Sequence, residues 1–269
     1  MATVQIIRPT SFKDYVAQIE ELQSMTKMPL WFRGCGNARD ELLPVVYRRA
    51  HGRPVYGQHL ERQIITRFRQ RSMPFLDRGL GDDEWGTFFL MQHHEIPTRL
   101  LDLTENPFIA LYFSVMDVKV IGTRRRARYG SDACVWALDP VKWNRQALSN
   151  QSYRGGILAP DNDEIRAYKP GGDFSGVHPV CIYGSHNSRR IVAQRGVFAV
   201  FGKGNTSMER LHGKQPFTDS CLVKVIINRR FIRRIKDSLL RSGITESTVF
   251  PDLIGLAREI RRDFGYGGL

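Results

Sequence analysis

The sequence predicts an α+β fold with a mixed or antiparallel sheet at its core and helices flanking it. Two kinds of segment predict this. Short apolar runs such as Ala133 to Leu138 and Cys221 to Ile227 have the length and residue types of buried strands. Others, such as Ser11 to Met25, repeat apolar residues at helical spacing. No internal repeat, low-complexity block or Pro/Ser linker divides the 269 residues, which predicts a single domain.

Taken in order, Ser11 caps a helix to Met25, with Phe12, Tyr15, Val16, Ile19 and Leu22 on one face. Pro29-Leu30-Trp31-Phe32 reads as a buried strand running into Arg33-Gly34-Cys35-Gly36-Asn37, a tight turn or a close backbone approach to a ligand. Leu42 to Arg49 is a short irregular or helical piece. Leu60 to Ser72 is a basic amphipathic helix with Ile64, Ile65 and Phe68 inward.

Trp85 to Met116 is the stretch around which the chain is expected to be organised. Trp85, Phe88, Phe89 and Gln92 share one helical face. Asn106 and Pro107 open a second helix, apolar all round and therefore packed on every side. A polar connector lies between them, carrying Gln92, His93, His94, Glu95, Thr98, Arg99, Asp102 and Thr104. Such groups beside so much apolar surface must satisfy one another or bind something.

Beyond it, Thr123 to Arg128 (TRRRAR) reads as an exposed hairpin tip before the strand Ala133 to Leu138. Residues 143–178 are polar and Gly-rich, the pattern of a long surface excursion, lid or mobile loop. Strands are expected at Val180 to Tyr183, Arg190 to Phe201 and Cys221 to Ile227, then helices at Arg229 to Arg241 and Asp252 to Phe264. The core motifs thus occupy 29–116 and 180–264.

Apolar residues make up 42% and charged residues 25%, ordinary values for a soluble globular protein. The longest apolar run, Pro107 to Met116, is too short to span a bilayer. The first residues lack the pattern of a secretory signal. Cys35, Cys134, Cys181 and Cys221 are widely spaced, which suits reduced thiols in a cytoplasm rather than disulfides or a zinc cage. A net charge of +13 favours phosphate-bearing partners, RNA or DNA above all, or an acidic regulatory or antitoxin protein. Arg124, Arg125, Arg126 and Arg128, with Arg229 and Arg230, are the candidate nucleic-acid contacts.

Arg33 is too costly to bury unpaired. It either pairs with a carboxylate such as Asp102 or Glu105, or clamps a phosphate or carboxylate in a cleft. His93 extends an apolar helix face as a core residue or as a ligand or base. His93-His94-Glu95 lacks the i, i+4 spacing of a helical metal site, so no metal is expected. Arg99 and Asp102 read as a structural ion pair, with Thr98 and Thr104 capping backbone groups. Gln194, before Gly196 in a strand pattern, reads as a bulge that re-aims a side chain, or as an edge-strand residue facing water. P-loop, GxGxxG, GxSxG and HExxH patterns are missing.

Trp31-Phe32-Arg33-Gly34 and QHHEIPTRLLDLTENPFIALYF (Gln92 to Phe113) resemble the FRG domain family, named for its Phe-Arg-Gly motif. Arg190-Ile191, Gln194, Gly196, Phe198 and the segment Gly243 to Ala257 extend the resemblance along most of the chain. Two positions depart from the family pattern: Glu95 stands where glycine is usual, and Leu103 where tryptophan is usual. The layout is also similar to that of ADP-ribosyltransferases. That similarity implies NAD, with Arg33 at its phosphates or ribose, residues around Tyr112 and Ser114 lining the nicotinamide pocket, and Gly34, Gln92, Thr98 and Arg99 as further cofactor-binding candidates. It places Gln194 where a catalytic glutamate usually stands. A glutamine is no general base, so Glu95, Asp102 or Glu105 would take that role, with His93 helping to position NAD.

The function this implies is an NAD-dependent effector or toxin that modifies nucleic acid or an associated target, with phage defence as one setting. The rivals are a non-catalytic basic module that binds nucleic acid or protein, and a metal-independent nuclease using His93 and Glu95.

Overall fold

A computed structural model of the chain describes residues 2–48, 55–76, 83–122, 128–151, 153, 155–185 and 188–266. In chain order its elements are β1 (Gln5–Ile7), α1 (Phe12–Ser24), β2 (Trp31–Cys35), α2 (Gln58–Ser72), α3 (Glu84–His93), β3 (Leu100–Thr104) and α4 (Pro107–Met116). A small hairpin, β4 (Val120–Ile121) with β5 (Arg128–Tyr129), precedes β6 (Ala133–Leu138) and α5 (Pro140–Ala147). Then come β7 (Val180–Ile182), α6 (Arg189–Gln194), β8 (Gly196–Val200), α7 (Met208–Leu211), β9 (Leu222–Ile227), α8 (Ile232–Arg241), α9 (Glu246–Val249) and α10 (Leu253–Asp263).

Seven strands form one mixed sheet in the order β1-β9-β6-β2-β3-β8-β7. Only β1 and β9 run parallel; the other neighbours are antiparallel. The expected α+β class, with a mixed sheet and flanking helices, is what the chain forms.

The period of two in a strand sorts side chains to opposite faces. On β6, Ala133, Val135 and Ala137 join a cluster under α1, α4 and α8, while Cys134, Trp136 and Leu138 join one under α5 and α7. A third cluster sits between α3 and the strands β3, β7 and β8, where Phe89 stacks on Phe198 with centroids 4.9 Å apart. Helices α3 and α4 therefore lie on the same face of the sheet, over different halves.

The sheet opens in its middle. All five residues of β2 pair with β6, and all five of β3 pair with β8. Between β2 and β3, however, only Phe32 and Thr104 are partners. Past that point the strands diverge. A parted edge leaves ladder groups without their usual partners, and Arg33 Nη1 reaches across to donate to the Asp102 carbonyl at 2.5 Å. Gly34 supports the arrangement. A Cβ there would collide with the Ala110 carbonyl oxygen, so only glycine lets α4 lie this close to β2.

Several expectations are corrected. The polar connector contains β3, a central strand, because the alternation of Leu101 and Leu103 with polar neighbours is hidden in so short a run. The strand expected at Arg190 to Phe201 divides into α6 and β8; Arg195 takes a left-handed φ of 46° between them, and Ser188 caps the helix. Residues 143–178 are no free excursion. Trp143, Ile165, Tyr168 and Phe174 are buried, and the Trp143 indole donates to the Pro179 carbonyl. Strand β1 and the short helices α7 and α9 had no clear signal. Among the described residues, no helix is long and apolar enough to cross a membrane.

Candidate functional site

The opening between β2 and β3 continues into a cleft of about 460 Å³ between α3 and α4. Phe32, Leu100, Ile109, Phe113 and Phe198 give it apolar walls. Its polar groups arrive from five directions: Arg33 from β2, Gln92 and His93 from the end of α3, Asp102 from β3, Asp117 after α4, and Arg190 and Gln194 from α6. Arg48 adds a third guanidinium and Glu95 a further carboxylate.

Asp102 lies at the centre. Alternation along β3 sends Leu101 and Leu103 to the opposite core, which leaves Asp102 on the face bearing α3 and α4. Its side chain is open to solvent through the cleft mouth, yet protein surrounds it on every other side. Burial is accordingly the largest influence and pushes its carboxyl above the ordinary aspartate value; the Arg33 charge and a hydrogen bond from Gln92 oppose this.

A short relay fixes that carboxyl. Thr98 Oγ1 donates to Gln92 Oε1 at 2.5 Å, which orients the amide so that Gln92 Nε2 donates to Asp102 Oδ2 at 2.6 Å. The Thr98 hydroxyl also accepts from the Leu100 backbone N–H, and Thr98 itself is 1% exposed. Thr98 thus positions the site without facing it.

His93 is half-buried, with Nδ1 3.3 Å from Ser188 Oγ. Burial, then the His94 and Arg190 charges, lower its pKa below the usual histidine value. The imidazole is therefore neutral at pH 7 and able to accept a proton. Arg33 keeps spare capacity: beyond the contact to Asp102, its Nε is buried with no hydrogen-bond partner among the described residues.

Other candidates lie elsewhere. Arg99 does not pair with Asp102. It is 0% exposed, bonded to Glu61 at 2.8 Å and to the carbonyls of Phe201 and Tyr168, with the Phe88 and Phe174 rings beside it. A guanidinium so enclosed cannot reach a ligand. Ser114 is likewise sealed, donating to the Leu111 carbonyl, and Tyr112 faces a different cleft. Glu105 accepts from the Tyr183 hydroxyl and does not line this cleft. Gln194 touches the cleft from the end of a helix, its amide donating to the Val249 carbonyl. It is no strand residue in a catalytic glutamate's place.

Glu95 holds a φ of 59°, a left-handed conformation that costs most residues free energy. That accounts for the family's glycine at this position. Arg128 is exposed on β5, and Arg229 and Arg230 are exposed after β9. Arg124, Arg125 and Arg126 lie outside the described residues. Among the sites missed from sequence are Arg48, Arg190 and Ser188. Arg190-Ile191 carried a signal, since it fits the family pattern; Arg48 and Ser188 carried none.

Fold and cleft together define an α+β protein whose mixed sheet opens at its centre around a polar site. The FRG domain family model matches residues 28–120, the span from just before β2 to β4 that supplies Arg33, Gln92, His93 and Asp102. Over that span the chain is similar to the FRG domain family. No match is found among curated proteins or among solved structures.

Proposed function

We propose that the cleft binds NAD and that the protein transfers its ADP-ribose to nucleic acid or a nucleic-acid-associated target. The observation that carries this reading is the convergence of Arg33, Gln92, His93 and Asp102 on one open cleft rather than into a sealed, mutually paired cluster. Arg33 and Arg190 supply positive charge for the diphosphate, Arg33 with an N–H to spare. The apolar walls suit the flat rings of a nucleotide.

In the reaction, the bond between ribose C1′ and the nicotinamide nitrogen breaks and its electron pair leaves with nicotinamide. A nitrogen or oxygen of the target forms the new bond to C1′. Its proton passes to the Asp102 carboxylate, whose raised pKa suits it to act as a base. The same negative charge stabilises the positive charge that develops on the ribose. Asp102 thus takes the role that Gln194 cannot fill.

Incubation with NAD labelled in its adenylate, together with RNA, DNA or lysate, tests the reading. Transfer of label with release of nicotinamide, lost in Asp102→Asn, is expected. No release and no transfer with any of these targets would contradict it. Cleavage of RNA or DNA in the absence of NAD would instead identify nuclease chemistry at His93 and Glu95, which line the same cleft.

A further inference from the structure

A second, larger cleft of about 750 Å³ lies on the far side of α4. It is bounded by α4, the β4–β5 hairpin, α8, α9 and α10. Six cationic side chains line it against three carboxylates, Asp117, Asp237 and Glu246. Glu246 is already taken by Arg262, whose Nε donates to both of its oxygens at 3.0 Å. Among the described residues, Arg128, Arg233, Lys236, Arg258 and Arg261 form no ion pair. The cleft is therefore a concentration of positive charge that its three carboxylates only half offset.

It also holds aromatic rings. Phe250 and Tyr129 are half-buried in its lining, and the Arg258 guanidinium lies 5.4 Å from the centroid of Phe250. Cations at the rim with ring faces between them are what a flexible strand of nucleotides requires: phosphates meet the guanidinium groups and an unpaired base finds a surface to stack on. A duplex keeps its bases stacked inside and cannot offer them to rings within a concavity. An acidic protein segment would meet the cations but leave the rings unused.

The two clefts share a wall. Phe113 and Asp117 line both, and Arg190, a residue of the first cleft, lies over the Phe250 ring of the second at 4.7 Å. We infer that the second cleft is a binding site for single-stranded nucleic acid, held by Arg128, Arg233, Arg258 and Arg261 and stacked on Tyr129, since the Phe250 ring is already covered by Arg190 and Arg258. A strand lying there passes the α4 wall within reach of the first cleft. Strand binding stands on the second cleft alone; that the strand is also the acceptor of ADP-ribose rests on the function proposed above.

Fluorescence anisotropy of labelled oligonucleotides of roughly 12 nucleotides, without NAD, tests the inference. The single strand should bind more tightly than the duplex of the same sequence, and binding should weaken steeply between about 50 and 200 mM salt. The double variant Arg233→Gln/Arg258→Gln should bind at least about tenfold more weakly, while Arg33→Ala binds as the parent does. Circular dichroism melting checks that both variants remain folded, and the single variant Arg261→Gln should show the same trend to a smaller degree. Equal affinity for duplex, unchanged affinity in the double variant, or displacement of the strand by polyglutamate at matched charge would each overturn it. Loss of transfer from NAD with strand binding intact would instead count against the reaction alone.

Discussion

Thr98, Gln92 and Asp102 form a chain in which each side chain has one orientation. Thr98 is buried and bonded on both sides, so it fixes the Gln92 amide, and the amide fixes the carboxylate. Replacing Thr98 by Ala should cost about 1 kcal/mol of stability, readable by urea denaturation, and lower activity by loosening Asp102. Asp102 also makes a signed prediction. Its folded-state pKa lies above the unfolded value, so ionisation costs folding free energy, and stability present in acid is lost as pH rises through the folded pKa. Asp102→Asn should therefore melt higher than the parent at about pH 8 and match it at about pH 3.5, below the ordinary carboxyl value. Equal melting at both pH values would refute the raised pKa. At this scale the sequence was informative about which residues meet a cleft but not about pairing. Arg33, His93 and Asp102 stood out as polar groups amid apolar runs. The partner of Arg99 did not, because Glu61 lies 38 residues away on a helix that reads as a basic surface element.

At the scale of elements, the decisive local features are the ones that set backbones close together or turn them sharply. Gly34 leaves room for the Ala110 carbonyl oxygen, and neither strand nor helix backbone can yield. Gly34→Ala should lose at least about 1–3 kcal/mol, as overpacking does, and disturb the opening between β2 and β3 with it. Glu95 occupies left-handed space at the end of α3. Glu95→Gly should leave stability unchanged or improve it, whereas Glu95→Val should lose about 1–2 kcal/mol; thermal melts of the pair decide the matter. Helices α1, α2, α3, α4, α8 and α10 were legible from their apolar periodicity, reinforced in α1 and α4 by a cap, as with Asn106 accepting from Phe108 and Ile109 N–H ahead of Pro107. Strand β3 and helix α6 were not. Five residues are too few to show a period, and Arg190 to Gln194 is apolar enough to pass for strand until the Ser188 cap and the left-handed Arg195 are seen.

Across the whole molecule, a buried ion pair ties the two halves of the chain together. Arg99 joins Glu61 of α2 to the carbonyls of Tyr168 and Phe201, and Glu61 Oε1 also accepts from the Gly171 N–H. This is why residues 143–178, polar in composition, are packed rather than free: their backbone supplies the acceptors that a buried guanidinium needs. Glu61→Ala should destabilise the protein by about 3–5 kcal/mol, because it leaves a buried charge without its partner. The positive charge is organised too, with six cationic side chains gathered beside the proposed catalytic cleft.

The central claim is that the gap between β2 and β3 is a nucleotide site worked by Arg33. Calorimetric titration of the protein with NAD measures this most directly. The parent should bind with one site per chain, and Arg33→Ala should weaken binding by about tenfold or more, the worth of a charge-assisted hydrogen bond to phosphate. No measurable binding by the parent, or equal affinity in the variant, would contradict it.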